Sequence, residues 1–400
     1  MAVFQHIGLY CASGGSNVAE LKFRNELIGN KAAGISSECG CSISSVGEEE
    51  KPQWITGTVS AGKGLAYRVS TDLTNTDLWE HIRCRISAFR ESYTVKPGLY
   101  AVGGPDKNSE VLVSANYKLS FDHLRKELKA MNAWILVLDT KGINVWCAAG
   151  KGTFGTDELV KRIALARLHE VVDHRNIIVP QLGAPGVSAH KVRRAAGFKV
   201  LYGPVYAKDI PAYVAAGRMA TPEMRAVSFT TVDRLVLTPM EISPAMKKYY
   251  PWYAVAILIF FGLQPTGIMF KGAVMGGLPF LGLGLISVFA GGFLTPLLLP
   301  WVPSRSFAVK GWLVGLISVM LTCNILRLFE PANYMLLCFV YLFFPTASSY
   351  IALQFTGSTT FTGMSGVKKE LKISLPVYIL SAAASLILLV FYKTGHWGTP

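Results

Sequence analysis

A lone cysteine, Cys147, stands just beyond a run of apolar residues that predicts a buried β-strand, Trp134 to Asp139. Open α/β sheets bind ligands outside the carboxyl ends of their strands. A thiol at the start of a helix there lies at the positive end of the helix dipole, which favours the thiolate form. Such a thiolate is suited to bind a metal or to act as a nucleophile. A cysteine without these surroundings is more often a buried structural thiol.

A hydrolytic nucleophile is poorly supported by the residues around Cys147. The nearest candidate bases, His169, His174 and His190, are distant from it in the sequence, and no Gly-x-Ser-x-Gly motif is present. A cysteine nucleophile needs a base within hydrogen-bond reach. A metal-ligand role therefore fits Cys147 better than a hydrolase role.

Two further motifs also fail on inspection. The stretch Gly150–Thr153 is not a phosphate-binding loop, because Val145 and Gly152 stand where that motif needs glycine and a hydroxyl residue. The pair Cys39 and Cys41 lacks the additional cysteine or histidine ligands that zinc and iron–sulfur sites require. We interpret these two cysteines as incidental thiols.

Residues 51–246 alternate short apolar runs with amphipathic segments. Such alternation predicts a doubly wound, Rossmann-like α/β domain with a largely parallel sheet. The predicted strands lie at 99–102, 111–114, 134–139, 177–180 and 199–202, and the predicted helices at 77–91, 120–130, 156–169 and 189–196.

Three loops follow the predicted strands and should carry the ligand contacts. The first contains Ser114 and Asn116, the second runs from Asp139 to Phe154, and the third combines Ser188 with the turn Gly203–Val205. Polar side chains and backbone amides suit a ligand rich in amide and carbonyl groups, and glycine permits a close approach of the backbone.

The last part of the chain has a different composition. Only Glu330 and Glu370 are acidic after position 248, and the whole chain is 51% hydrophobic and 16% charged, which is too apolar for an ordinary soluble protein. A helix of roughly 20 apolar residues crosses a bilayer. We predict a poorly structured lead-in at 1–50 and an all-α transmembrane domain at 247–400, with five helices at about 250–270, 274–300, 308–329, 333–355 and 373–392.

The charges flanking these segments predict their orientation. Lysine and arginine favour cytoplasmic flanks, so we expect the α/β domain in the cytoplasm at the inner membrane and the C-terminus outside. The odd number of cysteines without a disulfide spacing and the lack of a signal-peptide pattern agree with a reducing compartment. A net charge of +14 without a basic, aromatic-interleaved stripe argues against nucleic acid as a partner. The predicted inner flanks hold Lys247, Lys248, Arg305, Lys310, Lys368, Lys369 and Lys372.

The octapeptide Asn144-Val-Trp-Cys147-Ala-Ala-Gly-Lys151 resembles the cap-helix signature of the mercury-methylating corrinoid proteins. The segments Asp139–Asn144, Gly152–Thr156 and Tyr202–Val205 are similar to the same family and to the corrinoid domain of the large subunit of the corrinoid iron–sulfur protein. The resemblance covers most of residues 95–240, and the predicted membrane tail matches the mercury-methylating family.

This resemblance implies a corrinoid bound in its base-off form, with Cys147 as the lower axial ligand of cobalt. Asn144 would fix the start of the cap helix, Trp146 would pack against the corrin or the core, and Lys151 would anchor a corrin side chain or an acidic partner. The implied corrinoid contacts are Ser114, Asn116, Asp139, Gly142, Asn144, Val145, Trp146, Cys147, Ala148, Ala149, Gly150, Lys151, Thr153, Phe154, Ser188, Gly203, Pro204 and Val205.

The implied activity is corrinoid-dependent methyl transfer to Hg(II), with methylmercury as the product. Donation from a thiolate would let the methyl group leave cobalt with its electrons, as an electrophilic metal ion requires. The implied partners are a ferredoxin-like [4Fe-4S] electron donor and a methyltetrahydrofolate-linked methyl donor protein. Two alternatives remain open: a membrane-anchored methyl carrier of one-carbon (acetyl-CoA pathway) metabolism, and a transporter whose α/β domain senses a ligand.

Overall fold

The computed structural model describes residues 52–264, 267–330, 333–358 and 364–395. The predicted lead-in at 1–50, with Cys39 and Cys41, lies outside these residues. The described chain divides into two compact units, one made of 52–84 and 88–227 and the other of 85–87 and the residues from 228 onward. The boundary at Val227 and Ser228 precedes the predicted domain boundary at 246.

The first unit is built on one seven-stranded sheet with the order β1-β2-β3-β5-β4-β6-β7. All five predicted strands are present, and the hairpin β1–β2 was not predicted. The strands are β1 Ile55–Ala61, β2 Gly64–Val69, β3 Gly98–Val102, β4 Glu110–Ala115, β5 Ala133–Leu138, β6 Asn176–Val179 and β7 Lys199–Tyr202.

The sheet is largely parallel, as predicted, because four of its six strand pairs are parallel, including β2 with β3. Strands β5, β4, β6 and β7 pair in parallel, but β3 pairs antiparallel with β5 and β1 pairs antiparallel with β2. Strand β4 has β5 on one side and β6 on the other. The order in which the chain adds strands to the sheet therefore changes direction between β4 and β6. The crevice at the carboxyl ends of two such strands is the usual ligand site of this fold.

Helices and apolar clusters cover both faces of this sheet. In β5, Trp134, Leu136 and Leu138 belong to one cluster, and Ile135 and Val137 belong to the other. Successive side chains of a strand point to opposite faces, so a continuous apolar run marks a strand buried on both faces. The helices are α1 Asn75–Ile86, α2 Lys118–Glu127, α3 Val145–Lys151, α4 Thr156–Leu165, α5 Leu168–Val171, α6 Ala189–Ala196, α7 Ile210–Ala215 and α8 Pro222–Arg225.

A buried network of ion pairs attaches α1 to α2. Lys118 Nζ lies 3.0 Å from Asp77 and 2.7 Å from Asp122, and Arg125 lies 2.9 Å and 2.7 Å from the same two carboxylates. His81 Nε2 lies 3.0 Å from Asp122 Oδ2. Every member is buried, and each charge has a partner of opposite sign or a hydrogen bond, as burial of charge requires.

The second unit is helical, and four of its helices are long and apolar enough to cross a bilayer: Phe270–Leu298, Phe307–Leu326, Tyr334–Gln354 and Gly366–Gly395. This corrects the five predicted spans to four candidate spans in the described part of the chain. The helix in the first predicted span, Tyr250–Gly262, continues without a break from the π-helical turn Ala245–Tyr249 and is not among these four candidates.

Proline and glycine in this unit allow close helix packing. Gly311 and Gly315 lie against Ala352 and Ser348 of the neighbouring helix, where a side chain would collide, and Ser348 donates a hydrogen bond to the Gly311 carbonyl over 3.0 Å. Small residues and interhelical hydroxyl bonds are typical of membrane helix packing. The helices are α9 Thr231–Pro244, α10 Tyr250–Gly262, α11 Phe270–Phe289, α12 Thr295–Leu298, α13 Phe307–Leu326, α14 Tyr334–Gln354 and α15 Met364–Gly395, with π-helical turns at Ala245–Tyr249 and Ala290–Leu294 and a short strand pair, β8 Leu263–Gln264 and β9 Gly267–Ile268.

Candidate functional site

Asn116, which follows β4, organises the loop after β5. Its side-chain oxygen accepts hydrogen bonds from the backbone N–H groups of Thr140 and Gly142, both over 3.0 Å. The Thr140 hydroxyl lies 2.8 Å from the same oxygen. Asn116 and Thr140 are buried. Asn116 therefore positions the loop that leads to Cys147, and its side-chain oxygen is already hydrogen-bonded to that loop.

The loop itself turns through two residues in the left-handed region, Lys141 with φ 59° and Gly142 with φ 70°. Glycine tolerates this conformation without strain, and a Cβ at Gly142 would lie 2.8 Å from Thr94 Cγ2. Asp139 forms an ion pair with Lys141. Burial raises the pKa of the Asp139 carboxyl, but its hydrogen bonds from Lys141 outweigh burial and the pKa is lowered.

Asn144 caps the helix that carries Cys147. Its backbone is extended, and its side-chain oxygen accepts a hydrogen bond from the Cys147 N–H over 2.9 Å. Helix α3 then runs for seven residues and ends at Gly152, which has a left-handed φ of 80°. Asparagine at the first position and glycine after the last are the preferred helix caps. The cysteine is thereby held in the first turn of the helix.

The remaining residues of α3 fall on two faces. Val145, Ala148 and Ala149 are buried in the apolar cluster, and Trp146 is partly buried against it. The side chain of Lys151 and the position of Gly150 are exposed. Cys147 is only 8% exposed. The indole of Trp146 therefore packs on the core, one of its two predicted contacts.

Phe154 and the loop 183–188 pack closely against α3. A Cβ at Gly186 would collide with the Phe154 carbonyl oxygen and lie 3.1 Å from Ala149 Cα. The Thr156 N–H donates to the Gly186 carbonyl over 3.1 Å, and the Ser188 N–H donates to the Thr156 hydroxyl oxygen over 2.9 Å. Phe154 is fully buried. This loop therefore packs against α3. Thr153, just after the end of α3, is partly buried.

An apolar cavity of about 70 Å³ opens where β4 and β6 separate. It lies at the point where the strand order reverses, which is where open α/β sheets usually bind ligands. Five predicted site residues line it together: Ser114, Val145, Gly203, Pro204 and Val205. A Cβ at Gly203 would lie 2.8 Å from Ile178 Cγ2. The other lining residues are Leu112, Val113, Ser120, His123, Leu124, Ile178, Pro180, Ala207 and Ile210.

Some predicted residues do not line this cavity. Asn116, Asp139, Cys147 and Ser188 lie outside its lining, and the Ser188 hydroxyl is 3.0 Å from His190 Nδ1. Only Val145 belongs both to α3 and to the lining. The structure thus resolves the predicted site into two neighbouring parts, a capped cysteine and an apolar cavity.

Sequence reasoning missed three polar residues of this site, Ser120, His123 and Arg90. Ser120 and His123 project from α2, and the amphipathic pattern alone assigns neither to a ligand site. Arg90 lies in the turn Ala88–Glu91. Burial lowers the pKa of its guanidinium, and the ionised forms of Tyr117 and Cys147 act in the opposite direction. This electrostatic interaction between Arg90 and Cys147 would favour the thiolate form of the cysteine.

The donor set fits a metal that takes one ligand from the protein. Within the described ranges no group of three or more His, Cys, Asp and Glu side chains could hold a metal ion. A metal carried by a macrocycle needs only an axial ligand from the protein. Cys147 is a soft donor that could supply such a ligand.

Part of the α/β unit is similar to a known protein family. Residues 84–214 match the model of the CdhD family, described as the CO dehydrogenase/acetyl-CoA synthase delta subunit. The α/β unit therefore contains a CdhD-like domain. The matched segment holds the cavity, Asn116, the cap helix and Cys147, so the two parts of the site both lie in the CdhD-like domain.

Similar proteins come from archaea and bacteria. The acetyl-CoA decarbonylase/synthase complex subunit gamma of Methanopyrus kandleri is 30% identical over 134 residues, 33% of this chain and 29% of that protein. The same subunit of Methanocaldococcus jannaschii is 33% identical over 116 residues, 27% and 24% of the two chains. The corrinoid/iron-sulfur protein large subunit of Moorella thermoacetica is 28% identical over 150 residues, 35% and 33%. The chain spans about a third or less of these relatives.

Proposed function

We propose that the CdhD-like domain binds a corrinoid and carries a methyl group, and that Cys147 would be the residue that holds its cobalt. The observation that carries the proposal is the position of Cys147, capped by Asn144 in the first turn of α3 beside the cavity between β4 and β6. The similarity to a corrinoid/iron-sulfur protein large subunit supports the same cofactor.

The cavity fits one part of such a cofactor. Pockets that enclose a whole small-molecule ligand measure about 300–1,000 Å³, so a cavity of about 70 Å³ is too small for a macrocycle. Its apolar walls suit a small aromatic group, and the hydroxyl and imidazole groups of Ser120 and His123 supply polar partners at its edge. The detached base of a base-off corrinoid has this chemistry.

Each residue around the cysteine has a defined task in this proposal. The Asn144 side chain fixes the first turn of α3, and Asn116 fixes the loop before it. Arg90 would favour the thiolate form of Cys147, which is the form that binds a metal. When bound, the corrinoid supplies a transferable methyl group and access to several cobalt oxidation states.

The names of the relatives favour an acetyl-CoA synthase as the methyl acceptor. Subunits of an acetyl-CoA decarbonylase/synthase complex match the same segment of this chain, and we propose a carrier role in one-carbon metabolism as the first candidate function. A methyltetrahydrofolate-linked protein would supply the methyl group. A ferredoxin-like [4Fe-4S] protein would supply the electrons that return the metal to its reduced state.

Methyl transfer to Hg(II) is the second candidate function. The specific observation in its favour is the thiol at position 147, because a thiolate that held the metal would be an electron-rich ligand, and an electrophilic acceptor needs a methyl group that brings its electrons. Hg(II), bound by thiols, would accept that group. The methyl carrier and the mercury methyltransferase share the cofactor site and differ in the acceptor.

One experiment separates the two acceptors. The purified full chain is loaded with methylcobalamin. It is then offered either Hg(II)–glutathione or an acetyl-CoA synthase as the methyl acceptor. Methylmercury formation by the wild type and its loss in Cys147→Ala would support the second function. Methyl transfer to the synthase alone would support the first, and transfer to neither would contradict both.

The membrane placement is also a proposal. We propose that the CdhD-like domain faces the cytoplasm at the inner membrane, where reductants and folate-linked donors occur. The predicted external C-terminus required five crossings, whereas four crossings by the candidate spans put both ends of the helical unit on one side. A reporter fused after Pro400 is expected in the cytoplasm for four crossings, and outside if Tyr250–Gly262 also crosses.

A further inference from the structure

Helix α1 presents an apolar face to its surroundings. Leu78, Trp79, Ile82 and Ile86 are 49%, 64%, 50% and 39% exposed. They fall at spacings of one, four and eight residues, which places them on one side of a helix. An apolar cluster of this kind on a protein surface marks an interaction site more often than single exposed residues do.

The opposite face of α1 is polar and buried. Asp77 and His81 are buried and bind Lys118, Arg125 and Asp122 of α2 through the ion pairs described above. A helix on a soluble domain normally buries its apolar stripe and exposes its polar one. Helix α1 has the reverse arrangement: its exposed face is apolar, and its buried face binds α2 through ion pairs.

Two arginines border the apolar face. At about 100° per residue, the four apolar positions span an arc of about 100°, with Arg85 just beyond one edge and Arg83 just beyond the other. The acidic Glu80 lies roughly 100° from the nearer edge. Asn75, at the first position of the helix, is the one polar residue within the arc.

We propose that this face of α1 lies in the interfacial region of an anionic lipid bilayer. A helix with an apolar face and basic residues along its borders binds in the plane of a membrane surface, with tryptophan among its apolar anchors. The Arg83 guanidinium lies 4.4 Å from the centre of the Phe89 ring, and the two basic borders would lie at the level of the headgroup phosphates.

A bilayer is favoured over a protein partner by the chain itself. The same polypeptide carries four candidate spans, so a membrane surface is held near the CdhD-like domain at high effective concentration. Charge complementarity points the same way, because both borders of the face are basic. The inference is independent of the methyl acceptor and of the cofactor.

The test uses the full chain in nanodiscs that contain brominated lipids, which quench tryptophan fluorescence on contact. The contribution of Trp79 is the difference between the wild type and Trp79→Phe. In anionic discs we expect this difference to be quenched. Ile82→Glu places a carboxylate in the face and should abolish that quenching. The matched control is Leu65→Glu on β2, a residue that is 57% exposed, and it should leave the quenching unchanged.

Three results would overturn the proposal. The first is an unquenched Trp79 in anionic discs, and the second is an equal loss of quenching in Ile82→Glu and Leu65→Glu. The third is protection of Trp79 only after a protein partner is added, which would assign the face to a protein interface. Circular dichroism of each variant shows whether the helical content is retained, and Arg83→Gln with Arg85→Gln should weaken the quenching in anionic discs if the borders contact headgroups.

Discussion

The side-chain oxygen of Asn144 accepts a hydrogen bond from the backbone nitrogen of Cys147 over 2.9 Å. This contact joins the start of a helix to the residue that the proposed chemistry requires. The backbone of this capped turn therefore positions the sulfur. The same helix is held on the apolar core by its buried residues Ala148 and Ala149. An accurately placed axial donor needs such support from neighbouring residues.

Removing the cap should loosen the cysteine. Asn144→Ala is expected to cost about 1 kcal/mol of stability and to weaken corrinoid binding, because the first turn of α3 loses its hydrogen bond. Asn144→Asp, which keeps the acceptor, is the matched control and should retain both. Denaturant unfolding and an absorption titration with cobalamin measure the two effects. Equal affinity in Asn144→Ala and the wild type would argue against a positioning role.

Arg90 should control the reactivity of the Cys147 sulfur. Arg90→Met removes the nearby cation, so a smaller fraction of the thiol is ionised and alkylation of Cys147 by iodoacetamide should slow at neutral pH. Arg90→Lys keeps the charge and should restore much of the rate. The exposed Lys151, changed to methionine, is the control and should have no effect. Mass spectrometry of the Cys147 peptide gives the rates without any cofactor, and identical rates in Arg90→Met and the wild type would refute the role.

Filling the cavity should distinguish the parts of the cofactor. Ala207 lines the cavity, and Ala207→Leu is expected to weaken binding of complete cobalamin while leaving cobinamide, which lacks the nucleotide base, unaffected. The exposed Ala216, changed to leucine, serves as the control. Titrations with both corrinoids provide the comparison. An equal loss for the two corrinoids would show that the cavity does not hold the base.

The buried ion network should make stability depend on acid. Burial raises the pKa values of Asp77 and Asp122, but hydrogen bonds and the charges of Lys118 and Arg125 outweigh burial and lower both. Carboxylates with lowered pKa stabilise the fold above the unfolded pKa of about 3.9. This contribution should persist at neutral pH and be lost as the pH falls below about 4.

A substitution tests the same network at constant pH. Asp122→Asn leaves Lys118 and Arg125 with one buried charge partner fewer and should destabilise the protein by about 3–5 kcal/mol at pH 7. Asp173→Asn is the matched control, because Asp173 is 67% exposed in its ion pair with Lys107. Chemical denaturation of the detergent-solubilised chain measures both variants. Similar stabilities would show that the network contributes little.

The buried strands and the longer helices could be predicted from the sequence, because their apolar periodicity is set locally. The five predicted strands and the helix 189–196 agree closely with the structure. The predicted helix 156–169 is divided into α4 and α5 at Arg167, which has a left-handed φ of 45°. The hairpin β1–β2 was missed because several of its side chains are exposed and lack a clear alternation.

Long-range relationships could not be predicted in the same way. The antiparallel pairing of β3 with β5 depends on contacts between distant segments, and the approach of Arg90 to Cys147 depends on how the turn after α1 packs. The first predicted span, 250–270, was inferred from composition alone, whereas Leu263–Gln264 and Gly267–Ile268 in its last part form a strand pair after α10. Cys147 was singled out because it follows a predicted buried strand, and the capping role of Asn144, which the structure shows, was implied by the family resemblance.

Cobalt X-ray absorption on the purified full chain with bound cobalamin tests the central claim most directly. A sulfur scatterer in the first coordination shell of the wild type, lost in Cys147→Ala with cobalamin still bound, is the predicted result. A nitrogen ligand from imidazole in the axial position, or the same sulfur signal in Cys147→Ala, would contradict it.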